Sequence, residues 1–242
     1  MAEPGDFFVG YLQTPLRLVR FLTIAVIVLF LLVDAAALIA YRSQEARASG
    51  AWGDGEAAYD GVLVARPYPI VIVAATPRQG AHAVLLVQED KFGAPADLAA
   101  LDGRAVTVEG YPLLRDAVTV LQLSQHPHAL DTPAAPIAAR DLGTHTLTGE
   151  IADSKCFLGA MIPGEGKVHE SCAGLCLLGG IPALFVTRDA AGKVTYRLLA
   201  DENGDAMVDA VSTHAGMFLT LTGKLRRLDG IEIFSVPRAA LD

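Results

Sequence analysis

Residues 103–123, GRAVTVEGYPLLRDAVTVLQL, align without a gap on residues 216–236, GMFLTLTGKLRRLDGIEIFSV, and this internal repeat decides how the chain is read. In each copy a run of alternating bulk lies between two glycines, as a strand with one buried face requires. A second apolar run follows an aspartate at the same offset, Asp116 or Asp229. Each copy therefore reads as a β-hairpin. A short helical stretch precedes each one, at residues 96–101 and 206–213.

Outward from the first hairpin, β-rich runs at residues 61–65, 70–74 and 83–87 lead to a short helix over 94–101 and the strands 105–109 and 117–123. The second half repeats the plan. Three strands, a short helix and a closing hairpin give a five-stranded Greek-key barrel, and both copies resemble the OB fold over most of residues 58–125 and 144–237. A β-sandwich also accommodates these strands. The expected fold is mainly β: an N-terminal transmembrane helix, then two tandem OB-like small β-barrels at 58–125 and 144–242. A Pro-rich linker at 126–143 separates them.

Upstream lies FLTIAVIVLFLLVDAAALIA, residues 21–40. About 20 apolar residues are what a hydrocarbon core of ~30 Å requires, whereas a cleaved signal peptide carries an apolar stretch of about 7 to 15. The reading is a transmembrane helix at 21–41, preceded by a cytoplasmic juxtamembrane segment, 1–20, and followed by a small, polar tether, 42–57. Asp34 is the one charge inside the span; it either sits near the interface or meets another membrane subunit. Arg17 and Arg20 before the span balance Arg42 and Arg47 after it, so charge does not orient the helix. With the short tail taken as cytoplasmic, the C-terminal domains fall in the periplasm, outside a bacterial inner membrane.

The formal net charge is −8, and from Ser49 onward 15 Lys and Arg face 23 Asp and Glu. A nucleic-acid surface is normally basic, so no nucleic-acid partner is expected.

The second copy is longer. From Gly61 to Gly103 is 42 residues, and from Gly149 to Gly216 is 67. Most of the difference is one insertion, residues 153–182, DSKCFLGAMIPGEGKVHESCAGLCLLGGIP. It holds all three cysteines, Cys156, Cys172 and Cys176, with His169 three positions before Cys172. C-x12-H-x2-C-x3-C supplies four soft or borderline ligands, as a tetrahedral site for iron, copper or zinc needs. Other readings are a thiol redox pair at Cys172 and Cys176, a structural disulfide between them, and inert cysteines. An i, i+4 pair on a regular helix suits a disulfide poorly. His214 is a candidate fifth ligand and Met161 an axial one or a core residue. The DENGD stretch, residues 201–205, reads as a polar turn rather than a calcium loop. His82, His126, His128 and His145 are scattered, and no nucleophile elbow, phosphate-binding glycine loop or paired catalytic carboxylates occur.

The pattern departs from Rieske centres and from c-type haem attachment. The pair Cys172-x3-Cys176 is similar to that in the dinuclear copper loop of cytochrome oxidase subunit II and to the copper-chaperone pair of the Sco family. Residues 177–182 lack the His and Met that follow in the oxidase loop. As a whole, the insertion resembles a segment of poorly characterised, membrane-anchored bacterial proteins, and this implies no activity. The expected function is a metal-binding or redox accessory module of a membrane oxidoreductase. A thiol–disulfide oxidoreductase and an interaction scaffold stapled by zinc or a disulfide are the alternatives.

Overall fold

In the computed structural model, which describes residues 14–43, 50–77, 79–116 and 118–241, the apolar run forms one helix, α1 (Leu16–Ser43). Its 28 residues rise about 42 Å at ~1.5 Å each. None of its side chains is buried, and it is long and apolar enough to cross a membrane. The first 13 residues of the expected juxtamembrane segment, and residues 44–49 of the tether, lie outside the described residues.

A second unit runs from Ala48 to Asp242 and is mainly β. Its first half contains β1 (Ala51–Trp52), β2 (Ala57–Val64), β3 (Ile70–Val73), β4 (His82–Val87), a 3-10 turn (Ala96–Leu101), β5 (Ala105–Arg115), β6 (Val118–Leu123) and β7 (His128–Ala129). Strands β2, β3 and β4 are antiparallel neighbours, β4 pairs β6 in parallel, and β5 pairs both β6 and β2. The sheet thus returns on itself. The switch is made at Gly110, which pairs Ala57 of β2 and Leu123 of β6. A Cβ there would lie 2.1 Å from the Gln122 carbonyl oxygen, so only glycine lets the strands cross so closely.

The second half contains β8 (Ala139–Asp153), α2 (Glu170–Leu178), β9 (Ala183–Arg188), β10 (Val194–Asp201), α3 (Val208–Ser212), β11 (Phe218–Leu228) and β12 (Ile231–Val236). These strands close a barrel in the order β10-β12-β11-β8-β9, with β10 and β12 parallel. The pairing order is that of the first half, with β8 in the place of β2. Gly223, the repeat's counterpart of Gly110, is again pressed against a neighbour: its Cβ would lie 2.3 Å from the Ser235 carbonyl oxygen. The aspartates at equal offsets sit in the hairpin turns, Asp116 with φ +53° and Asp229 beside Gly230 with φ +81°.

Two features differ from the sequence reading. Residues 139–143, expected in the linker, pair with β11 as the start of β8, and the short strands β1 and β7 add to β5. The two barrels also share a core. In the first barrel Val71, Val84, Leu86 and Leu121 fill the interior, whereas Ile70, Ile72, Leu85, Val87, Val118 and Val120 join one cluster with the core of the second. Strands buried on both faces read as continuous apolar runs, and this is why IVIV and AVLLV do not alternate.

Candidate metal centre

The insertion begins where β8 ends. The fully buried carboxylate of Asp153 accepts the Cys156 backbone N–H at 2.8 Å and so holds the start of the short π-helical turn Cys156–Ala160. Arg115 of β5 clamps that turn from the first barrel. It donates to the Phe157 carbonyl at 2.5 Å, and its guanidinium carbon lies 4.1 Å from the Phe157 ring centroid. After a loop pinned by the Glu150 carboxylate on the Gly166 N–H, the chain enters α2. Cys172 and Cys176 are one turn apart on this helix and lie on one side of it.

Helix α2 ends on Gly179 and Gly180, and there the first barrel meets it. The Gly93 N–H donates to the Gly179 carbonyl at 2.8 Å. A Cβ on Gly179 would lie 1.8 Å from the Lys91 carbonyl oxygen, and one on Gly93 would lie 2.1 Å from that of Gly180. This backbone-to-backbone seat places Lys91 over the thiols, with Nζ 2.9 Å from Cys172 Sγ and 3.6 Å from Cys176 Sγ. Lys155 returns the contact by donating to the Gln88 and Asp90 carbonyls at 3.0 and 2.9 Å. Both barrels therefore contribute to a cavity of about 520 Å³ lined by Lys91, Phe92, Lys155, Met161 and the three cysteines, with Asp90 and Ala160.

All three cysteines are free thiols, and their sulfurs lie within 4.8 Å of one another. Cys156 and Cys176 are buried and Cys172 is partly exposed. His169, also buried, joins a second group: its Nε2 is 3.3 Å from Asp153 Oδ2, and Asp153, Cys156 and His169 likewise offer donor atoms within 4.8 Å of one another. The four expected ligands thus fall into two overlapping sets rather than one tetrad. Three thiols, a histidine and a carboxylate so placed could hold a metal ion.

The thiols are electrostatically unequal. A hydrogen bond from the Cys156 thiol, aided by the Lys91 ammonium, draws Cys176 down to about 7 despite burial. The same hydrogen bond, with burial and the Asp153 charge, holds the proton on Cys156 and pushes its pKa up. The hydrogen bond to Cys172 raises Lys91, and burial lowers Lys155. Cys176 is the ready thiolate of the group.

Other candidates lie apart. His214 bonds through Nδ1 to the Ala210 carbonyl at 2.9 Å and joins neither donor set. In the DENGD stretch, Asp201 Oδ1 accepts the Asn203 and Asp205 N–H groups at 2.9 and 2.8 Å, an Asx-type turn. Met161 lines the thiol cavity and is 46% exposed, so it is not a core residue. Sequence reasoning missed Lys91, which lies 81 residues from Cys172 in a half without cysteine, and assigned no role to Asp153 or Lys155. No protein-family model and no curated protein matches this chain.

Proposed function

We propose that this chain is a bacterial inner-membrane protein, anchored by α1, that displays two OB folds in the periplasm and carries a thiolate metal centre in the second. In this reading it serves a membrane oxidoreductase as an accessory or electron-transfer subunit. The shared ring order, with one parallel strand pair in each half among the described residues, supports the OB reading. The observation that carries the functional reading is the convergence of Cys156, Cys172 and Cys176 at one cavity under a lysine from the other barrel. Thiolate sulfurs select copper(I), zinc or iron clusters, and the ammonium offsets the negative charge they gather.

The test is elemental analysis with an absorption spectrum on the full chain, purified in detergent without added metal. Bound iron or copper with thiolate charge-transfer bands, lost in Cys172→Ser/Cys176→Ser, is the expected result. Zinc alone points to a structural centre. The second reading, thiol–disulfide exchange, draws on the lowered pKa of Cys176 beside Cys172. It gains if the protein binds no metal yet titrates reversibly as a two-thiol couple.

A further inference from the structure

The two donor sets of the insertion share one residue. Cys156 Sγ belongs both to the three-thiol group and to the group with Asp153 and His169. We propose that the insertion builds a dinuclear metal centre in which the Cys156 thiolate bridges two ions, one held with Cys172 and Cys176, the other with His169 and Asp153. This rests on the reading of the three thiols as a metal site and adds to it a second ion.

Three observations favour the second ion over a plain hydrogen-bonded pair. First, His169 Nε2 and Asp153 Oδ2 are 3.3 Å apart. A charge-assisted N–H···O bond closes to about 2.7–2.9 Å. Two ligands each about 2.0–2.1 Å from a tetrahedral ion stand roughly 3.3 Å from one another. Second, Asp153 is 0% and His169 4% exposed. A carboxylate so far from water needs a compensating charge. The Lys91 ammonium is aimed at Cys172 and Cys176 instead, and that of Lys155 at the Gln88 and Asp90 carbonyls. Third, Asp153 Oδ1 is held by the Cys156 N–H at 2.8 Å, which turns Oδ2 toward His169 and fixes the ligand before any ion arrives.

The chemistry balances by proton release. Each divalent ion replaces protons: every thiol proton held by Cys156, Cys172 or Cys176 passes to solvent as its sulfur binds, and any proton on His169 Nε2 is displaced, to Nδ1 or to solvent, as the second ion enters. The mixed sulfur, nitrogen and oxygen donors of the second position suit a borderline divalent transition metal, zinc or cobalt(II). The first ion keeps a position open toward the cavity beneath Lys91 and Met161; the second is enclosed.

The experiment is a cobalt(II) titration of the full chain in detergent, reduced and stripped of metal. It is followed by the visible thiolate bands, with bound cobalt per chain measured by elemental analysis. Two equivalents are expected, falling to one in His169→Gln and in Asp153→Asn, while the thiolate bands of the remaining ion persist. Saturation of the unaltered protein at one equivalent overturns the bridged centre and leaves the three-thiol site standing. Two equivalents retained in both variants overturn the assignment of the second ion to His169 and Asp153. No cobalt bound at all overturns the bridged centre, and the three-thiol reading falls with it only if the protein as purified also carries no iron, copper or zinc. The stoichiometry of the unaltered protein decides the question even if a variant fails to fold.

Discussion

At the scale of single residues, the unequal thiols make the sharpest predictions. Folding lowers the Cys176 pKa from an ordinary value near 9 to about 7. The stabilisation from this thiolate is therefore fully present above the ordinary thiol range and fades as pH falls through about 7. In metal-free protein, ultraviolet thiolate absorbance should show one cysteine ionising near pH 7, and denaturation midpoints should rise between about pH 7 and 9. Lys91→Met removes an ammonium from two sulfurs, so the same titration should move upward. Outer-shell partners of this kind change metal affinity by about 10- to 100-fold, and a competition assay with a metal chelator should find a loss in that range for Lys91→Met. An unmoved thiol titration in that variant would reject the role of Lys91. The insertion announced its own donors, because four ligand-type residues cluster within 21 positions of one another. Lys91 announced nothing: a lone lysine in a polar loop looks like any solvated charge until the loop is seated on α2.

At the scale of elements, the seat itself can be tested. Gly179→Ala would drive a Cβ into the Lys91 carbonyl, 1.8 Å away, and backbone cannot yield as a flexible side chain does. A loss of about 1–3 kcal/mol is expected in denaturant unfolding, together with faster alkylation of Cys172 as the loop lifts. The strands β3, β4 and β6 make a second case. In a sheet with one wet face, Leu85→Ala and Leu86→Ala would differ greatly, since their side chains point to opposite faces. Here both are 0% exposed, Leu86 inside the first barrel and Leu85 in the core shared with the second. Each substitution should cost about 2–5 kcal/mol, and a negligible cost for Leu85→Ala would count against the shared core. The continuous apolar runs were visible in the sequence, but the partner of their second face was not. Residues 139–143 carry no strand signal because β8 begins outside the barrel core, where its side chains are mostly exposed and do not alternate.

For the whole molecule, membrane attachment is the feature most open to direct test. If α1 is an uncleaved span, the full chain should fractionate with membranes, resist alkaline extraction and retain its N-terminal residues by mass spectrometry. Release of a shortened soluble form would show a cleaved signal instead. By itself the sequence determined the long apolar helix, the mainly β character and the repeated hairpins, because hydrophobic periodicity and turn residues are local properties that depend only on near neighbours in the chain. It also confined the thiols and His169 to one insertion. Only the tertiary structure decided that the two barrels share a core and that Lys91 crosses from one to the other. It alone divided the expected tetrad into two donor sets meeting at Cys156. Those are contacts between residues far apart in sequence, set by how the folded surfaces of two barrels fit together, and no local pattern encodes them.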